Sequence, residues 1–145
     1  MGIEPFLIAS SIVGLIAQRL VRVLCTDCKV AFDPPDDLLR RVNVTQEPRE
    51  SLRIFRPRGC EACRYTGYRG RTAAYEMVQV AESFRRLVVE RASTSALREH
   101  ATKTGMRPLR HDGWTKIKAG ITSIEEVLRL TMEEDIPESE NTAKE

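Results

Sequence analysis

Apolar residues crowd the first part of the chain: Phe6, Leu7, Ile8, Ile12, Val13, Leu15, Ile16, Leu20, Val21 and Leu24 are interrupted by Ser11, Gly14, Gln18 and Arg22 at intervals of three or four. That spacing predicts one helix over residues 5–24, with Pro5 in its first turn and a single polar stripe. A helix apolar on more than one side requires more than one neighbour. Either it forms the centre of this small fold or part of its cover lies outside the chain.

The pattern then breaks at Asp33-Pro34-Pro35-Asp36-Asp37, where the prolines hold the backbone extended ahead of a short helix at 37–42. Leu52-Arg53-Ile54-Phe55-Arg56 alternates in part and reads as a strand, and 71–78 reads as a weaker one after the Gly67-Tyr68-Arg69-Gly70 turn. Together they predict a small antiparallel lobe. From Glu82 the period is helical, with Phe84, Leu87, Val88 and Ala92 on one face. Ser93-Thr94-Ser95 interrupts this run and caps a helix that passes through His100 to Thr104 and stops at Gly105. Pro108 opens another helix that ends at Ala119-Gly120, and Thr122 with Glu125 forms a capping box for a last helix bearing Ile124, Val127 and Leu128. The expected class is α+β, mostly helical.

Into this pattern fall four cysteines, the full complement of the chain, in two identical pairs: Cys25-Thr26-Asp27-Cys28 and Cys60-Glu61-Ala62-Cys63. Two intervening residues let both sulfurs of a pair face one ion, and two such knuckles complete the tetrahedral thiolate shell of a structural zinc site. A shell filled by protein leaves no position for water or substrate, so the metal is expected to hold structure and to do no chemistry. The competing reading is redox or disulfide. A redox pair usually opens a helix after a strand, whereas Cys25 closes a long apolar stretch, and the few residues before that stretch carry Glu4 and no lysine or arginine to mark a leader. Zinc in a reducing, cytosolic compartment is the favoured reading.

The apolar run of 6–17 is too short to cross a bilayer, which takes about 20 residues. The formal charge of +2 hides a division: residues 133–145 carry −5 and the rest of the chain +7. The acidic end, with Pro137, Ser139 and Asn141, is expected to be a disordered tail because it has little apolar surface to bury.

Several segments together resemble the ATPases of bacterial type II secretion and type IV pilus extension. They are Met1-Gly2-Ile3-Glu4-Pro5-Phe6, Ala17-Gln18-Arg19-Leu20-Val21-Arg22 leading to Cys25, Gly59-Cys60-Glu61-Ala62-Cys63, and Thr66-Gly67-Tyr68-Arg69-Gly70-Arg71-Thr72. Gly105-Met106, Leu109, Asp112-Gly113, Lys116, Gly120 and Thr122-Ser123-Ile124-Glu125-Glu126-Val127 follow in order, so the resemblance covers about residues 1–131. It implies the C-terminal portion of such an ATPase: 1–24 the last helix of a RecA-like core, 25–80 a tetracysteine zinc lobe, 81–132 a closing helical segment and 133–145 the acidic tail. The chain contains no Gly-x-x-x-x-Gly-Lys-Ser/Thr loop, so ATP and Mg²⁺ are expected only in the intact family protein and no hydrolysis by this chain alone. The implied partners are the other subunits or the N-terminal half of a hexameric motor, and an inner-membrane platform protein. The implied location is the cytoplasm, at the inner-membrane face. Ala73-Ala74 departs from the small-then-branched pair usual in the family.

A second reading comes from Arg53, Arg56, Arg58, Arg64, Arg69 and Arg71, interleaved with Phe55, Tyr65 and Tyr68. Basic and aromatic residues on a zinc ribbon suit a nucleic-acid surface, but a solvated or subunit-facing patch is the favoured alternative. His100 and His111 are expected on helix surfaces. Trp114 is expected in a groove between the closing helices with its N–H on a carbonyl, and Asp112 at a surface or cap. No residue is assigned a catalytic role.

Overall fold

The computed structural model of the chain describes residues 2–42 and 47–131. The expected acidic tail lies outside the described residues. Among the described residues six α-helices and four strands follow in the order α1 (Pro5–Ser11), β1 (Gly14–Leu24), β2 (Val30–Phe32), α2 (Asp36–Arg41), β3 (Ile54–Arg56), β4 (Tyr68–Gln79), α3 (Glu82–Val89), α4 (Thr94–Lys103), α5 (Leu109–Lys118) and α6 (Ile124–Thr131). β1 pairs with β4 and β2 with β3, both antiparallel. The class is α+β.

The single helix expected over 5–24 is corrected: it ends at Ser11, and the chain continues as an eleven-residue strand. The hydroxyls of Ser10 and Ser11 donate back to Leu7 O at 3.1 and 2.7 Å, a local bond that competes with helix propagation. Ile12 turns extended (φ −88°, ψ 128°). The Arg85 guanidinium from α3 then donates to Ala9 O and Ile12 O at 3.0 and 3.4 Å, taking up carbonyls that a continuing helix would have used. What recruits 14–24 into a strand is a distant partner: Gly14 opposes Gln79, Arg19 opposes Ala74 and Leu24 opposes Tyr68, with an irregularity between Arg22 and Leu24. The ladder pairs the inward-facing backbone groups of both strands, and outward-facing ones find partners elsewhere, as Arg22 N–H does on Glu126.

Strand geometry also explains the apolar excess. Val21 and Ala74 face inward and pack with Leu109 of α5. The opposite face carries Ile16, Leu20, Tyr75 and Met77, of which Ile16 and Met77 are 68% and 63% exposed. The edge of β4 is tied to α5: Tyr75 N–H donates to Asp112 Oδ2 at 2.9 Å and Leu109 N–H to Glu76 Oε2 at 3.3 Å.

The main core gathers Val42, Ile54, Trp114, Ile117, Ile124, Val127 and Leu128, with Phe32, Leu38, Leu39 and Leu52 packed against it. It therefore joins the β2–β3 lobe to α5 and α6. Gly113 permits the close approach of those two helices, since a Cβ there would meet Val127 Cγ1 at 2.6 Å. A second cluster (Val80, Phe84, Ala101, Met106) seats α3 and α4 beside Ile12. The helix signals of the C-terminal half hold closely: Ser93 Oγ accepts from Ala96 N–H at 3.3 Å, and Gly105 and Gly120 end their helices at φ +105° and +65°. Among the described residues no helix is long and apolar enough to cross a membrane.

Candidate metal centre

The two knuckles hang from the ends of the long ribbon. Cys25 follows β1 directly, and its carbonyl accepts from Cys28 N–H and Lys29 N–H at 3.3 and 2.9 Å, which closes a tight turn. Cys60 and Cys63 flank a short 3₁₀ turn (Glu61–Cys63) ended by Arg64 and Tyr65 in the left-handed region, with Tyr65 N–H returning to Cys60 O at 2.8 Å. The knuckles lie 35 residues apart in sequence, yet Cys25 Sγ and Cys60 Sγ are 3.9 Å apart and Cys28 Sγ and Cys63 Sγ 3.8 Å. Cys60 Sγ lies 3.7 Å from Cys63 Sγ. All four sulfurs fall within 4.8 Å of one another.

This spacing tests the donor set. Four sulfurs at about 2.3 Å from one centre, at tetrahedral angles, lie about 3.8 Å apart. Three of the sulfur pairs stand at that spacing, all four sulfurs fall within 4.8 Å of one another, and none is joined in a disulfide. Three of the four are buried and Cys60 is half-buried, as suits a closed structural shell. Backbone amides prepare the charge: Cys60 N–H and Gly67 N–H both donate to Cys63 Sγ at 3.2 Å. Burial pushes the Cys63 thiol up, but these amides outweigh it and its pKa is lowered to about 6. Burial pushes Cys28 up to about 11. A cation among the four compensates that burial, which is why metal binding releases protons.

Gly67 does more than turn the chain. Its N–H donates to Cys63 Sγ while its carbonyl accepts from Cys25 N–H at 2.9 Å, so one residue links the two knuckles. It does so at φ +76°, with Pro57 packed where a Cβ would stand. Gly67→Ala is expected to weaken metal retention by the four thiols, lowering the affinity for added zinc by about tenfold against a competing chelator. A colorimetric chelator competition reads this directly, and unchanged retention sinks the assignment.

A second cluster went unpredicted. Glu126, fully buried, accepts from Arg22 backbone N–H at 3.0 Å and from the Arg22 guanidinium at 2.9 and 2.7 Å, and Arg129 adds donors at 3.3 and 2.9 Å. Burial pushes this carboxyl up, yet the two guanidinium groups hold it at a pKa of about 2. The Arg22 guanidinium stacks 4.1 Å from the Tyr68 ring centroid. The expected capping box is thereby corrected to a one-sided cap: Ser123 Oγ accepts from Glu126 N–H at 3.4 Å while the Glu126 carboxylate goes to the arginines, and Thr122 Oγ1 donates to Arg22 O at 2.8 Å.

The other singled-out residues lie apart from the cysteines. His100 Nε2 pairs with Ser83 Oγ at 3.0 Å and His111 is exposed. Asp112 accepts from Tyr75 N–H and from Lys116 Nζ at 2.6 Å, a bracing contact. Trp114 is buried between the closing helices as expected, but its Nε1 has no hydrogen-bond partner among the described residues, so the expected carbonyl contact is corrected. Arg53, Arg58, Arg64, Arg69 and Arg71 are exposed, and Arg56 lies 5.1 Å over the Phe32 ring.

Residues 1–129 match the family described as Type II/IV secretion system protein. The Type IV pilus assembly ATPase PilB of Thermus thermophilus is 41% identical over 133 residues, which are 92% of this chain and 15% of that protein. The Type II secretion system ATPase E of Vibrio cholerae is 43% identical over 133 residues, 92% of this chain and 26% of that one. Type II secretion system protein HxcR of Pseudomonas aeruginosa is 43% identical over 131 residues, 90% and 24% respectively. The chain thus spans about a quarter or less of the length of these relatives.

Proposed function

We propose that this chain, which belongs to the type II/IV secretion system protein family, is the zinc-bearing C-terminal portion of a type II secretion or type IV pilus assembly ATPase and works there as a structural and packing element. The observation that carries the reading is the convergence of four distant sulfurs into one cluster inside a family-matched chain. Cys25, Cys28, Cys60 and Cys63 are the zinc ligands. When bound, the ion supplies a cross-link between knuckles and no reaction, because the four thiolates fill its shell. Residues 25–80 form the metal lobe and 81–132 the closing helical segment, while 1–24 join a RecA-like core as a short helix and a strand. ATP and Mg²⁺ act in the intact family protein, on a portion that carries the phosphate-binding loop this sequence lacks.

The apolar surfaces support partners of that kind. Ile16, Leu20, Tyr75 and Met77 on the ribbon, Ile3 ahead of α1, and Phe6 and Leu7 on α1 are all exposed. Large apolar side chains exposed in this number seek cover. Its partners are the N-terminal half or neighbouring subunits of a hexameric motor, docked in the cytoplasm on an inner-membrane platform protein.

Purified chain is expected to hold one zinc by elemental analysis and to hydrolyse ATP no faster than buffer. A metal-free chain with its sulfurs oxidised, or one that turns over nucleotide unaided, overturns the reading. The exposed arginines, together with Tyr65 at 72% exposure, favour a second reading as a nucleic-acid module. Phosphate-driven binding that falls steeply from 50 to 200 mM salt would support it. None is expected.

A further inference from the structure

The turn between α5 and α6 is fastened almost entirely to residues beside the cysteines. Leu24, which precedes Cys25, donates its N–H to Ile121 O at 2.8 Å. Lys29, which follows Cys28, donates from Nζ to Gly120 O at 2.8 Å. Tyr68, which follows the keystone Gly67, shares a 2.8 Å hydroxyl contact with Ser123 Oγ, the cap of α6. Arg22, three residues before Cys25, accepts from Thr122 Oγ1 and donates its N–H to Glu126. Thr122 and Ser123 are fully buried, so each loses its partner without gaining water if the knuckles shift.

We propose that metal occupancy of the four-cysteine centre latches the α5–α6 turn, so that a chain without metal releases residues 120–126 and uncaps α6. The proposal rests on the zinc reading above. The path is short. With the four sulfurs held on one centre, Gly67 is fixed between Cys63 Sγ and Cys25 N–H, and Tyr68 is placed under Arg22 and against Ser123. With the sulfurs free to separate, Leu24, Lys29 and Tyr68 lose their fixed positions, and directional contacts at 2.8 Å do not survive displacements of an ångström or more. The α3–α4 pair has its own core around Val80, Phe84, Ala101 and Met106 and makes none of these contacts, so the release is local.

Hydrogen exchange read by mass spectrometry on the full chain tests this, with zinc bound and after removal by chelator under reductant, zinc content being measured in each state. Amides of 120–128 are expected to exchange about tenfold faster without zinc, while those of 82–103 are unchanged. If the metal-free chain loses protection throughout, the zinc-bound Tyr68→Phe chain decides. It is expected to keep one zinc yet exchange faster at 120–126, and wild-type protection there overturns the latch. A chain that binds zinc but protects 120–128 equally in both states overturns the latch alone. One that binds no zinc overturns the metal reading and the latch together.

Discussion

Cys25→Ser and Cys63→Ser chains are expected to purify without stoichiometric zinc and to lose the two knuckles and the β2–β3 pair as a folded unit. The reason is the poverty of other support in that lobe. β2 and β3 are three residues each, well below what a two-stranded sheet needs to stand alone in water. Cys25, Cys28 and Cys63 pack with Cys60 as a cluster of their own and bury no neighbouring aliphatic side chain in it. Structural zinc sites contribute apparent binding free energies of about 10–16 kcal/mol, which become folding free energy where the apo site has no structure of its own. Ile54 and Val42 carry the damage onward, because they share the main core with Trp114 and Ile117. Elemental analysis together with thermal unfolding should show a zinc-free chain whose transition is lowered by more than about 15 °C. A serine variant that melts with the wild type would end the structural role of the centre.

What the sequence revealed tracks how local each determinant is. The cysteine spacing, the Ser93 cap and the glycine stops at 105 and 120 are decided within a few residues, and the structure repeats them. β1 was illegible because its apolar residues satisfy a helical period as well as a strand, and the arbiter, the 68–79 strand, lies some fifty residues away. Ser10 and Ser11 were the available local hint. The cap of α6 failed for a related reason. Thr122-Ser123-Ile124-Glu125-Glu126 contains two overlapping capping boxes, Thr122 with Glu125 and Ser123 with Glu126, and nothing local separates them. Arg22 decides, by taking the Thr122 hydroxyl on its carbonyl, which leaves Ser123 as the cap, and by drawing the Glu126 carboxylate to its N–H and guanidinium, so that neither box closes.

That same clasp carries the second large expected effect, and its asymmetry is the informative part. The Glu126 side chain is 0% exposed whereas Arg22 and Arg129 are 45% and 58% exposed. Arg22→Ala leaves a buried carboxylate with three of its five donors and one of its two counter-charges, at an expected cost of about 2–3 kcal/mol; Glu126→Ala frees two arginines that water already reaches and is expected to cost less. The double variant should therefore be more stable than Arg22→Ala alone, a sign that simple loss of contacts does not produce. Acid supplies an independent reading. The folded carboxyl titrates at about 2 against an ordinary 4.5, so Glu126 stabilises the fold fully above pH 4.5 and loses that contribution as pH falls toward 2, for a total of about 3 kcal/mol. In Glu126→Gln this group no longer titrates, and the stability gap between the two chains, read from urea midpoints at matched pH, should stay constant from pH 7 to 5 and narrow below 4.5. Comparing the chains at each pH cancels the protonation of the thiolates, which both share. A gap that stays level down to pH 3 would mean that the carboxylate is not held by its arginines in solution.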